Sequence, residues 1–285
     1  MKKIILNIFE ALPIKNHKKV KFLILWKIKK IIFFLFRIFN INDLNLYLKI
    51  SGSDKYNNYP NVYKYLNTFL KRDKVKIVCE IGIGGHDSEF AGGASLLALS
   101  SYFFNSKVYG LDIIEKKFLN SNKIKTFTID QSNQEELGNF AKKNEKFDLI
   151  IDDGSHFGEH QVNSFKTLFP YLENGGVYII EDLGGSYTKA FKGDPNFDPS
   201  KNMFGFVKDK IHSVNSKYLT KKNFEALEKY INISNIFLTQ DCLIIQKKTK
   251  PPSEHLSDHE AFRSLDELNE DQNYSKDPSG FIKTK

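Results

Sequence analysis

Between Lys76 and Ile180 the chain alternates short, β-branched apolar runs with segments of helical length, and few architectures accept that order. Strands are expected at Lys76–Ile81, Lys107–Ile113, Ile124–Ile129, Phe147–Ile151 and Gly176–Ile180, with helices at Gly92–Phe103, Gln134–Asn144 and His160–Leu172. Strand–helix–strand units cross over right-handed, so the alternation implies an α/β fold, a Rossmann-like doubly wound sheet. Further on, Phe204–Tyr218 and Lys222–Lys229 have helical spacing. The runs Asn235–Thr239 and Cys242–Lys247, separated by Gln240 and Asp241, read as a closing hairpin. The sheet is therefore expected to be mostly parallel with a C-terminal antiparallel hairpin.

Two of the runs end abruptly in acids. Phe147–Ile151 leads into Asp152, Asp153, Gly154, Ser155 and His156, and the run ending at Ile180 leads into Glu181 and Asp182. In open α/β sheets ligands bind outside the carboxyl ends of the strands, so neighbouring strands of this kind aim their acids into one crevice. Such a set of oxygen donors suits a divalent cation.

A glycine turn follows the first strand, with Gly82, Gly84 and Gly85 allowing a sharp bend and a close approach to a ligand. The dinucleotide fingerprint G-x-G-x-x-G fails, because Asp87 stands where the third glycine belongs. Glu80, just before the turn, repels phosphates and suits an amino group. Asp112, ending the second strand, is positioned to accept hydrogen bonds from ribose hydroxyls. Asp130 and Gln131, ending the third, are candidates to meet an adenine edge. A ligand with ribose, adenine and ammonium but no phosphate is S-adenosylmethionine.

The flanks read differently. Val20–Phe39 is strongly apolar yet interrupted by Lys21, Lys27, Lys29, Lys30 and Arg37, so no uncharged run reaches the roughly 18–20 residues of a membrane span. It reads either as a helix packed on the main domain or another subunit, or as a basic amphipathic helix on an anionic inner-membrane surface. Turn formers crowd Ser51–Pro60, which reads as a connector, and a short helix is expected at Val62–Lys71. These boundaries give an N-terminal helical segment and linker (1–60), a main domain (61–249) and a polar tail (250–285) expected to be partly disordered. Formal net charge is +8, but the Lys, Asn and Ile richness looks general, and no nucleic-acid partner is expected. Cys79 and Cys242 lie in strand-like runs without metal-ligand spacing, which fits reduced core thiols in a cytoplasmic protein.

Taken together, Glu80–Gly85, Gly92–Leu96, Tyr109–Asp112, Asp130–Ser132, Asp152–His156, Phe169–Leu172 and Gly175–Asp182 resemble class I S-adenosylmethionine-dependent methyltransferases. More narrowly, they resemble metal-dependent sugar O-methyltransferases of the mycinamicin and demethylmacrocin type. The resemblance covers roughly residues 75–187. It implies that magnesium is held by Asp153, Glu181 and Asp182, with His156 as general base. Glu181 stands where the family often has aspartate. The methyl donor falls to Glu80, Gly82, Gly84, Ser95, Asp112, Asp130 and Gln131, with Asp152 in support. A glycan or small glycoside acceptor and a homo-oligomer are also implied. Two rivals are a nicotinamide-dependent oxidoreductase, disfavoured by the failed glycine motif, and a membrane-associated scaffold without turnover.

Overall fold

The computed structural model describes residues 17–85 and 90–250, apart from 195, 197, 199, 200, 209, 219, 220, 228, 229 and 231, together with 275–276 and 282–283. Helices α1 (His17–Ile38), α2 (Leu44–Ser51), α3 (Lys55–Asn58) and α4 (Pro60–Phe69) precede the first strand. The chain continues through β1 (Ile77–Ile81), α5 (Ala94–Tyr102), β2 (Lys107–Asp112), β3 (Ile124–Thr128), α6 (Gln134–Lys143), β4 (Phe147–Asp152), α7 (Gly158–Leu168) and β5 (Leu172–Ile180). It ends with α8 (Met203–Lys208), α9 (Lys221–Ala226), β6 (Ile233–Thr239) and β7 (Cys242–Lys247).

The strands form one sheet in the order β3-β2-β1-β4-β5-β7-β6. β1 to β5 are parallel, and the β6–β7 hairpin joins antiparallel along β5. The order reverses between β1, which leads to β2, and β4, which leads to β5. The crevice at their carboxyl ends is therefore the topological switch point.

Side-chain alternation sorts the strands between two core layers. Ile77, Cys79 and Ile81 of β1, Ile150 of β4 and Tyr178 and Ile180 of β5 pack with residues of α6, α7 and α8. Val78, Leu149, Ile151, Val177 and Ile179 face the opposite layer, with Tyr47, Tyr63 and Leu66 of α2 and α4. α5 is buried nearly all round, from Ser95 to Ser100 and at Tyr102, as its apolar and small residues on every side require. Both cysteines are free and buried.

The N-terminal region differs from its expected form. Residues 51–60, expected as a connector, include the four-residue helix α3 and the first residue of α4. Asp43 caps α2 by accepting from the Asn45 and Leu46 amides, Gly52 ends it in the left-handed region, and Pro60 starts α4 where its missing N–H costs nothing. α2 to α4 thus cover one face of the sheet. α1 packs on this layer through Phe33, stacked on Tyr47 at 4.9 Å, and through the Lys29 ammonium, which donates to the Ser51 carbonyl at 2.6 Å. Its other face leaves Ile31, Phe34, Leu35 and Ile38 exposed. No helix among the described residues is long and apolar enough to cross a membrane.

Smaller differences lie in the second half. The long helix expected at 204–218 is α8 followed by a 3-10 stretch at Ile211–Tyr218. The loop after Asp182 holds 3-10 turns at Leu183–Tyr187 and Lys189–Phe191. The tail from 251 lies outside the described residues except for two short paired strands at 275–276 and 282–283. His86 and Asp87 lie outside them too.

Candidate active site

Strand parity decides which acids meet. Glu80 continues the Val78 face of β1, Asp153 follows Leu149 and Ile151, and Glu181 follows Val177 and Ile179. All three carboxylates therefore emerge on the side covered by α2 to α4. Lys55 enters from that side, its Nζ lying 2.5 Å from Asp153 Oδ2, 2.6 Å from Glu181 Oε2 and 3.2 Å from Glu80 Oε1. The lysine is 1% exposed. Burial pushes its ammonium towards losing the proton, but the Glu181, Glu80 and Asp153 charges reverse this and hold it well above the ordinary lysine value.

The acids feel the same burial. Desolvation raises Glu181 despite Lys55 and raises Glu80 to about 6. Asp153 is raised as well, again by burial against the pull of Lys55. Tyr63 donates its phenol proton to Glu181 Oε1, so both Glu181 oxygens have partners. Tyr59 donates to Asp182 Oδ1 at 2.6 Å and accepts the Asp182 amide at 3.1 Å. Burial and the Asp182 carboxylate raise the Tyr59 hydroxyl far above its usual value, which keeps it a neutral donor.

On the outer side of this cluster stand Asp153, His156 and Asp182, each offering a ligand atom within 4.8 Å of the others. Backbone geometry puts them there. His156 (φ 60°) and Asp182 (φ 53°) both occupy the left-handed region, which is costly for residues other than glycine and recurs at functional sites. His156 Nδ1 lies 3.5 Å from Asp182 Oδ2, yet it is buried without a hydrogen-bond partner. Two carboxylates and an unpartnered imidazole nitrogen form a donor set that a divalent cation fits. Glu181 stands apart from this trio, because Lys55 and Tyr63 hold it in the interior.

The glycine turn adjoins the same crevice. Gly82 (φ +76°) passes so close to β4 that a Cβ there would lie 2.0 Å from the Asp153 carbonyl oxygen. Among the described residues, nothing lies nearer to a Cβ on Gly84 (φ +69°) than Gly92 Cα at 4.0 Å. Asp112 ties the turn to β2, its two oxygens accepting the Ile83 amide at 3.1 Å and the Ile114 amide at 2.9 Å.

The other residues expected at the methyl donor are placed unevenly. Asp130 accepts from the Ser132 amide and hydroxyl, which lowers its carboxyl. Gln131 turns inward, donating to Asp152 Oδ1 at 2.6 Å and Ser164 Oγ at 2.8 Å and accepting the Ser155 amide at 2.9 Å. Asp152 is fully buried, and desolvation raises it to about 7. It belongs to the parity of Ile150, facing α7. Gln131 and Asp152 thus brace the loop that carries His156. Ser95 donates to Glu80 Oε2 at 2.7 Å, so these two also hold each other inside the fold.

Sequence reading missed Lys55, Tyr59 and Tyr63. They lie on two short helices that break at Tyr59 (φ -130°, ψ 45°), so no single helical periodicity joins them. The turn formers and Pro60 mark that break, and no local spacing signals the meeting of these side chains with the acids.

No family model matches the chain. It is 40% identical over 158 residues to the 8-demethyl-8-alpha-L-rhamnosyl tetracenomycin-C 2'-O-methyltransferase of Streptomyces olivaceus, a match spanning 55% of this chain and 42% of the relative. It is 38% identical over 169 residues to the mycinamicin VI 2''-O-methyltransferase of Micromonospora griseorubida, spanning 55% and 42%. The MycE methyltransferase from the mycinamycin biosynthetic pathway, solved in complex with Mg, SAH and mycinamycin VI, superposes with a TM-score of 0.62 at 29% identity, over 72% of this chain and 54% of that one.

The chain is related to these sugar O-methyltransferases. It shares their class I methyltransferase fold and spans less than half the length of the curated relatives it matches. The methyltransferase sheet, the glycine turn and the acid-tipped β4 and β5 all fall within its described residues.

Proposed function

We propose that the protein is a magnesium-dependent O-methyltransferase that moves the methyl group of S-adenosylmethionine to a sugar hydroxyl of a glycoside, polysaccharide or glycolipid precursor. The observation that carries this reading is the gathering of Asp153, His156 and Asp182 within 4.8 Å beside the glycine turn. The relatedness to sugar O-methyltransferases narrows it.

Asp153 and Asp182 are the residues that would hold the magnesium ion. Bound there, the ion supplies a Lewis acid that orients the acceptor oxygen and makes its hydroxyl more acidic. The rest falls to the chain. Gly82 and Gly84 let the backbone approach the methyl donor, and Asp112 receives its ribose. Tyr59 fixes Asp182, and Asp182 faces His156 across 3.5 Å. With Nδ1 turned towards Asp182, the second nitrogen of the imidazole, Nε2, is the one to accept the hydroxyl proton. The acceptor oxygen forms its bond to the methyl carbon as the S–C bond breaks, and its electron pair stays on sulfur. The positive charge of the sulfonium is thereby cancelled, and the proton passes from His156 to water.

The test is methyl transfer from labelled S-adenosylmethionine to rhamnosyl and deoxysugar glycosides, with mass spectrometry of surface glycans with and without the gene to identify the natural acceptor. Chelation is expected to abolish turnover and added magnesium to restore it. Full activity in excess chelator refutes the metal's role.

The exposed face of α1 supports a peripheral position at the cytoplasmic side of a membrane. Ile31, Phe34, Leu35 and Ile38 form its apolar stripe. Beside it a cavity of about 460 Å³ collects Lys30, Arg37 and Lys123. The charges of Arg37 and Lys30, after burial, lower the Lys123 ammonium. Three cations beside an apolar stripe suit anionic lipid. Co-sedimentation with phosphatidylglycerol vesicles but not phosphatidylcholine vesicles is the expected result. A dimer in ultracentrifugation without vesicle binding would assign the face to a second copy.

A further inference from the structure

Lys55 is the most unusual residue of the fold: a lysine 1% exposed, in contact with three carboxylates. Its chain position is as unusual as its burial, since 98 residues separate it from Asp153 and 126 from Glu181. Isolated ammonium groups are not buried without a partner, and here the partner is the wall of the candidate cation site. Asp153 belongs both to the trio with His156 and Asp182 and to the lysine's own set. Glu181, which the sequence marks as a third ligand, has one oxygen on Lys55 and the other on Tyr63.

The geometry points to Lys55 as a built-in cation that competes with the divalent ion for Asp153 and Glu181. In the metal-free protein its ammonium neutralises the buried acids and holds the site together. The cation then binds against that ammonium, drawing on the same Asp153 and Glu181 carboxylates. Lys55 so tunes metal affinity downward and makes the ion exchangeable. This rests on the proposal that the site takes magnesium.

Coulomb's law gives the sign. Removing one positive charge from the cluster leaves its carboxylates more attractive to a cation. Lys55→Met keeps the length and apolar stem of the side chain without the charge. The expected result is magnesium binding by calorimetry tightened roughly tenfold, and a thermal midpoint that is lower than wild type without metal and rises more steeply on adding magnesium. Should Lys55→Met fail to fold even with magnesium, Lys55→Gln retains a hydrogen-bond donor and carries the same expectation. Equal or weaker magnesium binding by the folded variant, with the wild type binding normally, overturns the role of Lys55 alone. No binding by either protein overturns the magnesium reading and this inference with it.

Discussion

Gly82 and Gly84 sit two residues apart in one turn, with similar backbone angles, yet alanine at each is expected to fail for a different reason. At either position a Cβ in the left-handed region costs about 1–2 kcal/mol. For Gly84→Ala the cost ends there, because the new methyl meets no described residue closer than 4.0 Å. For Gly82→Ala the Cβ falls 2.0 Å from the Asp153 carbonyl oxygen and 2.6 Å from its carbon. β1 and β4 must then part at the point where the Asp153 amide donates to the Ile81 carbonyl at 2.9 Å. Overpacking adds about 1–3 kcal/mol and the strained hydrogen bond about 1 kcal/mol. The total for Gly82→Ala is thus about 3–6 kcal/mol, against about 1–2 kcal/mol for Gly84→Ala. Urea unfolding followed by circular dichroism measures both. Calorimetry with S-adenosylmethionine supplies the second axis: Gly84→Ala is expected to remain folded and lose donor binding, because its methyl fills the space open to the ligand. Equal destabilisation by the two variants refutes the packing argument. Donor binding of wild-type strength in Gly84→Ala refutes the placement of the donor over the turn.

His156→Ala is expected to abolish methyl transfer while leaving S-adenosylmethionine affinity within about twofold, as typical of the loss of a general base worth 10²–10⁴ in rate; retained turnover removes the base assignment. Glu80 holds its proton to about pH 6 in the folded protein against an ordinary value of 4.5. The folded state therefore binds a proton that the unfolded chain has released. Metal-free stability is expected to fall as pH rises between those values, and Glu80→Gln to flatten the fall. A profile identical in the variant assigns the slope to another group. Phe33→Ala removes the aromatic ring stacked on Tyr47 and is expected to cost about 3–5 kcal/mol by urea unfolding; a change under about 1 kcal/mol would mean that α1 does not dock as described.

Elements whose signal is local were legible in the sequence. The strands Cys242–Lys247 and Ile124–Thr128 lie at or within a residue of their expected ends, because apolar alternation and flanking turn residues define them. β5 was read from Gly176, whereas the strand begins at Leu172. The Asn-Gly-Gly stretch has the turn character its residues suggest, with Gly175 left-handed at φ 81°, but it lies within the strand as an irregularity where the pairing of β5 with β4 shifts register. Asp153, His156 and Asp182 were legible as a group because they end adjacent parallel strands. The inward turn of Gln131 and the capture of Glu181 by Lys55 were not. Those depend on side chains meeting across 21 to 126 residues of chain, and no local spacing encodes such a meeting. That Glu80, Asp153 and Glu181 share a face follows from strand parity once the register of β1, β4 and β5 is known.

The placement of Lys55 on α3 bears on the order in which the molecule is assembled. During synthesis it leaves the ribosome 126 residues ahead of Glu181, a delay of about 6–25 s at ordinary elongation rates. Through that interval the lysine is a hydrated cation on a four-residue helix too short to persist alone. Its full set of partners exists only once β5 has joined the sheet. The crevice is thus closed by a segment that is made before the strands it covers.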